Sequence, residues 1–114
     1  MTRIPRPGKY HAKKKEIDGI IFASGAEARR DMDLKLMEKA EVISNLKVHP
    51  KYILIPKPNQ ITWEADFEYM DVDTGKIVVE DVKGFATKDF RIKAKLFRHF
   101  RPEIVLKIVS ARGV

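Results

Sequence analysis

The sequence predicts an α/β domain built around a mixed sheet, and three observations predict it. Residues 61–70 and 76–84 read as strands with the turn-forming DVDTG between them, so they close a β-hairpin. Residues 24–41 and 87–101 carry apolar residues at helical spacing. The Ile/Val-rich run 102–110 follows the second helix directly. A helix between two strands is the crossover that makes them parallel, so a parallel strand joins the antiparallel hairpin. The expected order is hairpin, helix, three strands, helix, strand.

The elements follow in order along 114 residues, a length that fits one domain. MTRIPRPGKYHAKKK (1–15) is rich in proline and basic residues without apolar periodicity and reads as a flexible basic arm; residues 16–114 form the domain. EIDGIIF (16–22) holds Asp-Gly between apolar residues, a short hairpin signal. In the helix 24–41, Ser24 is a good N-cap, and Ala28, Met32, Leu36 and Ala40, with Met37 beside them, mark the expected buried stripe. VISNLKVHPKYILI (42–55) is strand material interrupted near Pro50, and PKPNQ is a turn or loop. In 61–70, Ile61, Trp63, Ala65, Phe67 and Tyr69 fall on one face, which makes Trp63 a core residue. DVDTG holds part of a calcium-loop pattern but lacks the rest, so it reads as the hairpin turn. In the helix 87–101, Phe90, Ala94, Phe97 and Phe100 take buried spacing.

Composition excludes several chemistries. There are no cysteines, hence no disulfide framework and no thiolate zinc site. His11, His49 and His99 are far apart and show no metal-ligand spacing, which argues against a zinc enzyme. No apolar run approaches membrane-spanning length, so a soluble cytoplasmic protein is expected. The net charge of +7 is unevenly spread. Residues 1–30 are net +5, residues 31–82 net −5 and residues 83–114 net +7. Basic ends suit a polyanion such as nucleic acid. An acidic centre repels phosphate unless a cation sits among its carboxylates.

The candidate chemistry lies in that acidic centre. In VVEDVKG (78–84), strand alternation puts Asp81 and Lys83 on one face and Glu80 on the other, so Glu80 is expected to be a bystander. Folding the hairpin with Asp66 opposite Asp81 brings two carboxylates to about 5 Å. They repel unless a cation binds or one is protonated. A register with Asp66 opposite Lys83 also clusters all three, whereas a slip by one residue separates the acids. Two carboxylates with a nearby lysine suit phosphodiester hydrolysis with Mg2+ or Mn2+. The metal polarises phosphate and acidifies water, and the lysine orients the water or neutralises charge on the phosphate.

Asp66, then Asp81-x-Lys83 after a hairpin, with Glu27 on a preceding helix, resembles the PD-(D/E)XK nuclease superfamily. DGIIFASGAEARR, ADFEY and VVEDVKGFATKDFRIKAKLF also resemble a family of small phage- and prophage-encoded proteins. Ala65 stands where the proline that names the motif would be, and Asp81 where many members have Glu. The resemblance implies a restriction-endonuclease-like core (α-β-β-β-α-β). It implies a Mg2+-dependent endodeoxyribonuclease with Asp66, Asp81 and the Val82 carbonyl as metal ligands. Lys83 would act beside the attacking water, and Glu27 would be a further ligand or hold a metal-bound water. It also implies 5′-phosphate products, branched or nicked DNA such as a Holliday junction as substrate in phage recombination or replication, a homodimer, and a bacterial host's cytoplasm.

Each residue has a rival role. Ser24-x-x-Glu27 is a capping box, which alone could explain Glu27. Glu64 and Glu68 share the face of Asp66 and read as a solvated strand face. Lys88, Arg91, Lys95 and Arg98 line one face of the last helix and, with Lys13, Lys14 and Lys15 of the arm, are the candidate DNA contacts. The same surfaces fit a non-catalytic DNA-binding module, which would bind DNA with steep salt dependence but no metal. An assembly protein that uses its sheet to bind another phage protein is the third reading.

Overall fold

The computed structural model describes residues 14–17 and 20–113. Most of the expected arm, Lys13 included, lies outside the described residues, as does the Asp18-Gly19 turn. Lys15 belongs to a strand: β1 (Lys15–Ile17) pairs antiparallel with β2 (Ile20–Phe22). Then come α1 (Gly25–Lys39), β3 (Ile43–Val48), β4 (Lys51–Ile55), β5 (Ile61–Glu64), β6 (Phe67–Asp71), β7 (Ile77–Lys83), α2 (Lys88–Phe100), β8 (Val105–Ser110) and one 3₁₀ turn (Ala111–Gly113). The class is α/β with a mixed sheet. Its order is β3-β6-β7-β8, with β8 parallel to β7 and the other pairs antiparallel. No helix among the described residues is long and apolar enough to cross a membrane.

The three expected middle strands are five, because one long hairpin bends halfway. β3 pairs with β6 inside the sheet, and β4 pairs with β5 as a separate ribbon. Two backbone hydrogen bonds join the halves: His49 N–H donates to the Asp66 carbonyl and Ala65 N–H to the Pro50 carbonyl, both at 2.9 Å. His49 takes a left-handed φ of 55° at this bend, a conformation disfavoured for any residue with a Cβ. The bend also corrects the expected single face of 61–70. All five apolar residues are covered to some degree, but Phe67 and Tyr69 enter a core with Phe22, Ala28, Leu34, Ile43 and Val78, under α1. Trp63 and Ala65 enter another with Leu54, Val79, Phe90, Ala94 and Phe97, under α2, with Ile61 packed at its edge.

The hairpin turn works as its composition implies. Asp71 Oδ1 accepts from Asp73 N–H at 2.9 Å, and Gly75 takes φ 72° while its N–H donates to the Asp71 carbonyl. Through the hairpin β6–β7, Phe67 lies opposite Glu80; just before β6, the Asp66 N–H also donates to the Glu80 carbonyl at 3.2 Å, and its carboxylate comes beside that of Asp81.

Both helices start at side-chain caps. Ser24 Oγ accepts from Glu27 N–H and Thr87 Oγ1 from Phe90 N–H, each at 3.1 Å. The buried stripe expected for α1 is wrong. Met32 and Leu36 are 54% and 66% exposed, Ala40 is exposed and Met37 only partly covered. Ala28 alone of the stripe is buried, in company with Ala26, Glu27, Asp31 and Leu34. The helix turns acids inwards: Glu27 meets the site described below, while fully buried Asp31 lies 2.8 Å from Lys35, one turn on in the same helix, with no hydrogen bond to either of its oxygens among the described residues. In α2, Phe90, Ala94 and Phe97 are buried as spaced, and Trp63 packs edge-on to Phe97 at 5.2 Å. Phe100 is exposed instead. It sits in the last turn, where the Arg101 guanidinium covers Tyr52 and Phe97.

Candidate metal centre

Three elements converge at one end of the sheet. The start of α1 brings Glu27, the hairpin bend brings His49 and Asp66, and β7 brings Asp81 and Lys83. Asp66 comes beside Asp81 where the pairing of β6 with β7 ends, and the cap at Ser24 aims the first turn of α1 at them. Asp66 Oδ2 accepts from Val82 N–H at 2.7 Å, which fixes the acid against β7. One ligand atom each from Glu27, His49 and Asp66 lie within 4.8 Å of one another.

Glu27 has a use for its carboxylate beyond capping. The Ser24 half of the capping box is made by the hydroxyl, while Glu27 Oε2 lies 3.0 Å from His49 Nε2. Glu27 is buried and also within hydrogen-bonding reach of Asp66. Because the Ser24 cap needs only the backbone N–H of residue 27, Glu27→Gln should leave the melting temperature in EDTA no lower than that of the parent. The upward shift in melting temperature on adding Mn2+ should shrink, as thermal scans with and without the metal will read.

Asp81 is 2% exposed. The Lys83 ammonium pairs with its Oδ2 at 3.0 Å, off the angle of a good hydrogen bond. Lys83 also lies 4.5 Å from the centre of the Phe90 ring, a cation–π contact that holds the ammonium at the sheet end. Burial, then the adjacent Asp66 charge, pushes the Asp81 carboxyl up to about 7, against the pull of Lys83. Asp66 shifts the same way, through burial and its contact with Glu27, opposed by the Val82 N–H and Lys83.

The sign of the pH dependence follows. An unfolded Asp loses its proton near 3.9, whereas these two keep theirs to higher pH when folded. Their protonated forms therefore favour the fold fully below pH ~4, and this stability is lost as pH rises through about 7. In EDTA, the melting temperature should fall between pH 5 and pH 8, and Asp81→Asn should flatten the fall.

A cleft of about 560 Å3 opens beside these groups, lined among others by Ser24, Glu27, Arg29, Asp66, Lys83 and Gly84. A smaller one of about 280 Å3 is lined by Lys14, Ala23, Glu27, His49, Glu64 and Asp66. The structure thus gathers all four expected polar residues, Glu27, Asp66, Asp81 and Lys83, and the Val82 backbone beside Asp66. Residues 7–112 match a family model described as a protein of unknown function, DUF1064. The chain belongs to this family. Comparison with curated proteins and with solved structures gives no match.

Other expected residues of this family member lie elsewhere. Lys88, Arg91, Lys95 and Arg98 are exposed on α2, which starts just after the loop following Lys83. Lys15 is exposed on β1, and Lys14 lines the smaller cleft. Glu68 accepts from Tyr52 OH at 2.6 Å and pairs with Lys47 at 3.2 Å, so it is committed elsewhere; Glu64 lines the smaller cleft. Two residues were not singled out from the sequence. No other histidine is near His49 in the chain, so spacing does not mark it, but ligands need proximity in space only. The signal was there: it precedes Pro50, where the strand pattern breaks. Arg30 reaches Glu80 under the sheet. Glu80 does face away from Asp81 and Lys83, but it is fully buried in that pair rather than idle.

Proposed function

We propose that this protein is a metal-dependent endodeoxyribonuclease of the PD-(D/E)XK type, with a restriction-endonuclease-like core. One observation carries the reading. Asp66 and Asp81 sit side by side in a largely buried site that also holds Glu27, with the single Lys83 ammonium 3.0 Å from Asp81 Oδ2. Acids packed this way are suited to hold a divalent cation, and the expected Mg2+ or Mn2+ fits an oxygen-rich donor set. Asp66, Asp81, the Val82 carbonyl and Glu27 would hold it. When bound, it supplies Lewis-acid polarisation of phosphate and makes water more acidic.

The chain's own groups do the rest. Lys83, steadied by Asp81 and Phe90, orients the attacking water and offsets charge that grows on the phosphate. Water's oxygen bonds to phosphorus, the P–O3′ bond breaks, and a proton ends on the 3′ oxygen, leaving a 5′-phosphate. The exposed cations of α2, with Lys14 and Lys15, bind flanking phosphates of DNA. A small domain offers little surface to read a long sequence, which favours branched or nicked DNA and a homodimer that cuts two strands.

The experiment is purified protein on branched and linear DNA, with Mg2+ or with EDTA. Cleavage of branched DNA in Mg2+ alone is the expected result. Salt-sensitive DNA binding with no cleavage in any divalent ion would replace this reading with a non-catalytic DNA-binding module.

A further inference from the structure

Asp66 and Glu27 separate two clefts. Lys83 lines the larger and His49 the smaller, and the two acids line both. The His49 side has features that a plain acidic cluster lacks. Its nitrogen donor is held in place from three directions. The His49 N–H donates to the Asp66 carbonyl at 2.9 Å. The imidazole packs against the buried Phe22 ring at 5.7 Å. Its Nε2 faces Glu27 Oε2 at 3.0 Å. Its backbone takes the left-handed φ of 55°, and strain of this kind gathers where side chains must be placed for binding. One ligand atom each from Glu27, His49 and Asp66 lie within 4.8 Å of one another around the smaller cleft.

The geometry points to a cation site formed by Glu27, His49 and Asp66, one imidazole nitrogen and two carboxylates, that selects first-row transition ions such as Mn2+ over Mg2+. Mg2+ demands near-ideal octahedral oxygen ligation and gives up its waters reluctantly. Imidazole suits the transition ions instead, and a single fixed nitrogen therefore discriminates between them. The site rests on the nuclease reading only in sharing Glu27 and Asp66 with it. Lys14 and Glu64 on the rim of the same cleft leave it accessible from solvent.

The test uses the full chain, stripped with EDTA, titrated calorimetrically with Mn2+ alone and with Mg2+ alone. Pulsed electron paramagnetic resonance of the bound Mn2+ then looks for imidazole nitrogen. Mn2+ should bind at least ~10-fold more tightly than Mg2+ and show 14N modulation. His49→Ala should remove that modulation and weaken Mn2+ binding by ~10-fold or more, with Mg2+ binding little changed. Labelling the parent protein with 15N-histidine should replace the 14N pattern, which gives the answer even if His49→Ala folds poorly. Mn2+ bound without imidazole coupling, or with equal affinity in folded His49→Ala, would overturn the inference. Mg2+-dependent cleavage that persists in that case leaves the nuclease reading intact. Imidazole-coupled Mn2+ without any DNA cleavage supports the site and sinks the nuclease instead.

Discussion

Asp81→Asn should abolish DNA cleavage, by on the order of 10³-fold, while leaving the metal-free protein at pH 8 as stable as the parent or more so. The loss follows from the metal's role. Charge stabilisation by a bound ion is worth several kcal/mol, and about 4 kcal/mol is a factor of ~10³ in rate. The gain in stability follows from the carboxylates. Asp81 is buried beside Asp66, and burial with that like charge pushes its carboxyl up to about 7. At pH 8 burial and the neighbouring Asp66 charge outweigh the pull of Lys83, so the Asp81 charge works against the fold, and an amide of the same shape removes it. Activity and stability therefore move in opposite directions, as they do where a strained site serves function. Cleavage assays paired with thermal unfolding in EDTA separate the two cases. Lost cleavage with a large fall in melting temperature would make Asp81 a structural acid. Retained cleavage would remove it from the site.

The strands of this site were legible because strand alternation depends only on neighbouring residues. Asp81 and Lys83 share a face whatever the partner strand does, and the DVDTG turn left few registers. Asp66 does come beside Asp81, but not as a direct cross-strand pair: Phe67 takes the place opposite Glu80, and the Asp66 N–H donates to the Glu80 carbonyl at 3.2 Å. The bend at His49 and Ala65 was not legible. Alternation through Ala65 is unbroken, so nothing local reveals that Trp63 and Phe67 enter different cores. The buried face of α1 was misread for a related reason. Periodicity assigns burial to the most apolar stripe, but tertiary partners decide it. Glu27 finds His49 while Ala28 and Leu34 pack into the core, so the face with acids turns inwards and Met32 and Leu36 turn out. Spacing along the chain does not reveal His49, because the bend brings together residues 22 positions apart.

Arg30→Met should destabilise the protein by about 3–5 kcal/mol, the cost of leaving a buried charge without its partner. Glu80 lies under the sheet with no exposed surface. Arg30 grips it with two parallel hydrogen bonds, Nε and the Nη2 amino group each at 2.8 Å, and Tyr69 OH donates to the same carboxylate. The Glu80 hydrogen bond raises the Arg30 pKa against the effect of burial, so the guanidinium stays charged and the pair is ionic. Glu80→Gln alone should destabilise as well, since it leaves the Arg30 charge unmatched while Tyr69 keeps an acceptor. The double variant Arg30→Met, Glu80→Gln removes both charges and should recover more than half of the loss of Arg30→Met. Urea unfolding of the four proteins forms a double-mutant cycle whose coupling measures the pair. Additive losses would mean that the two residues act independently. The same proteins bear on the chemistry, because Glu80 is adjacent to Asp81 in sequence but points to the opposite face of β7. Cleavage per folded molecule should be nearly unchanged in Glu80→Gln. If it falls with the stability matched, β7 needs the Arg30–Glu80 pair to hold Asp81 and Lys83 in place, and the two faces of the strand are coupled.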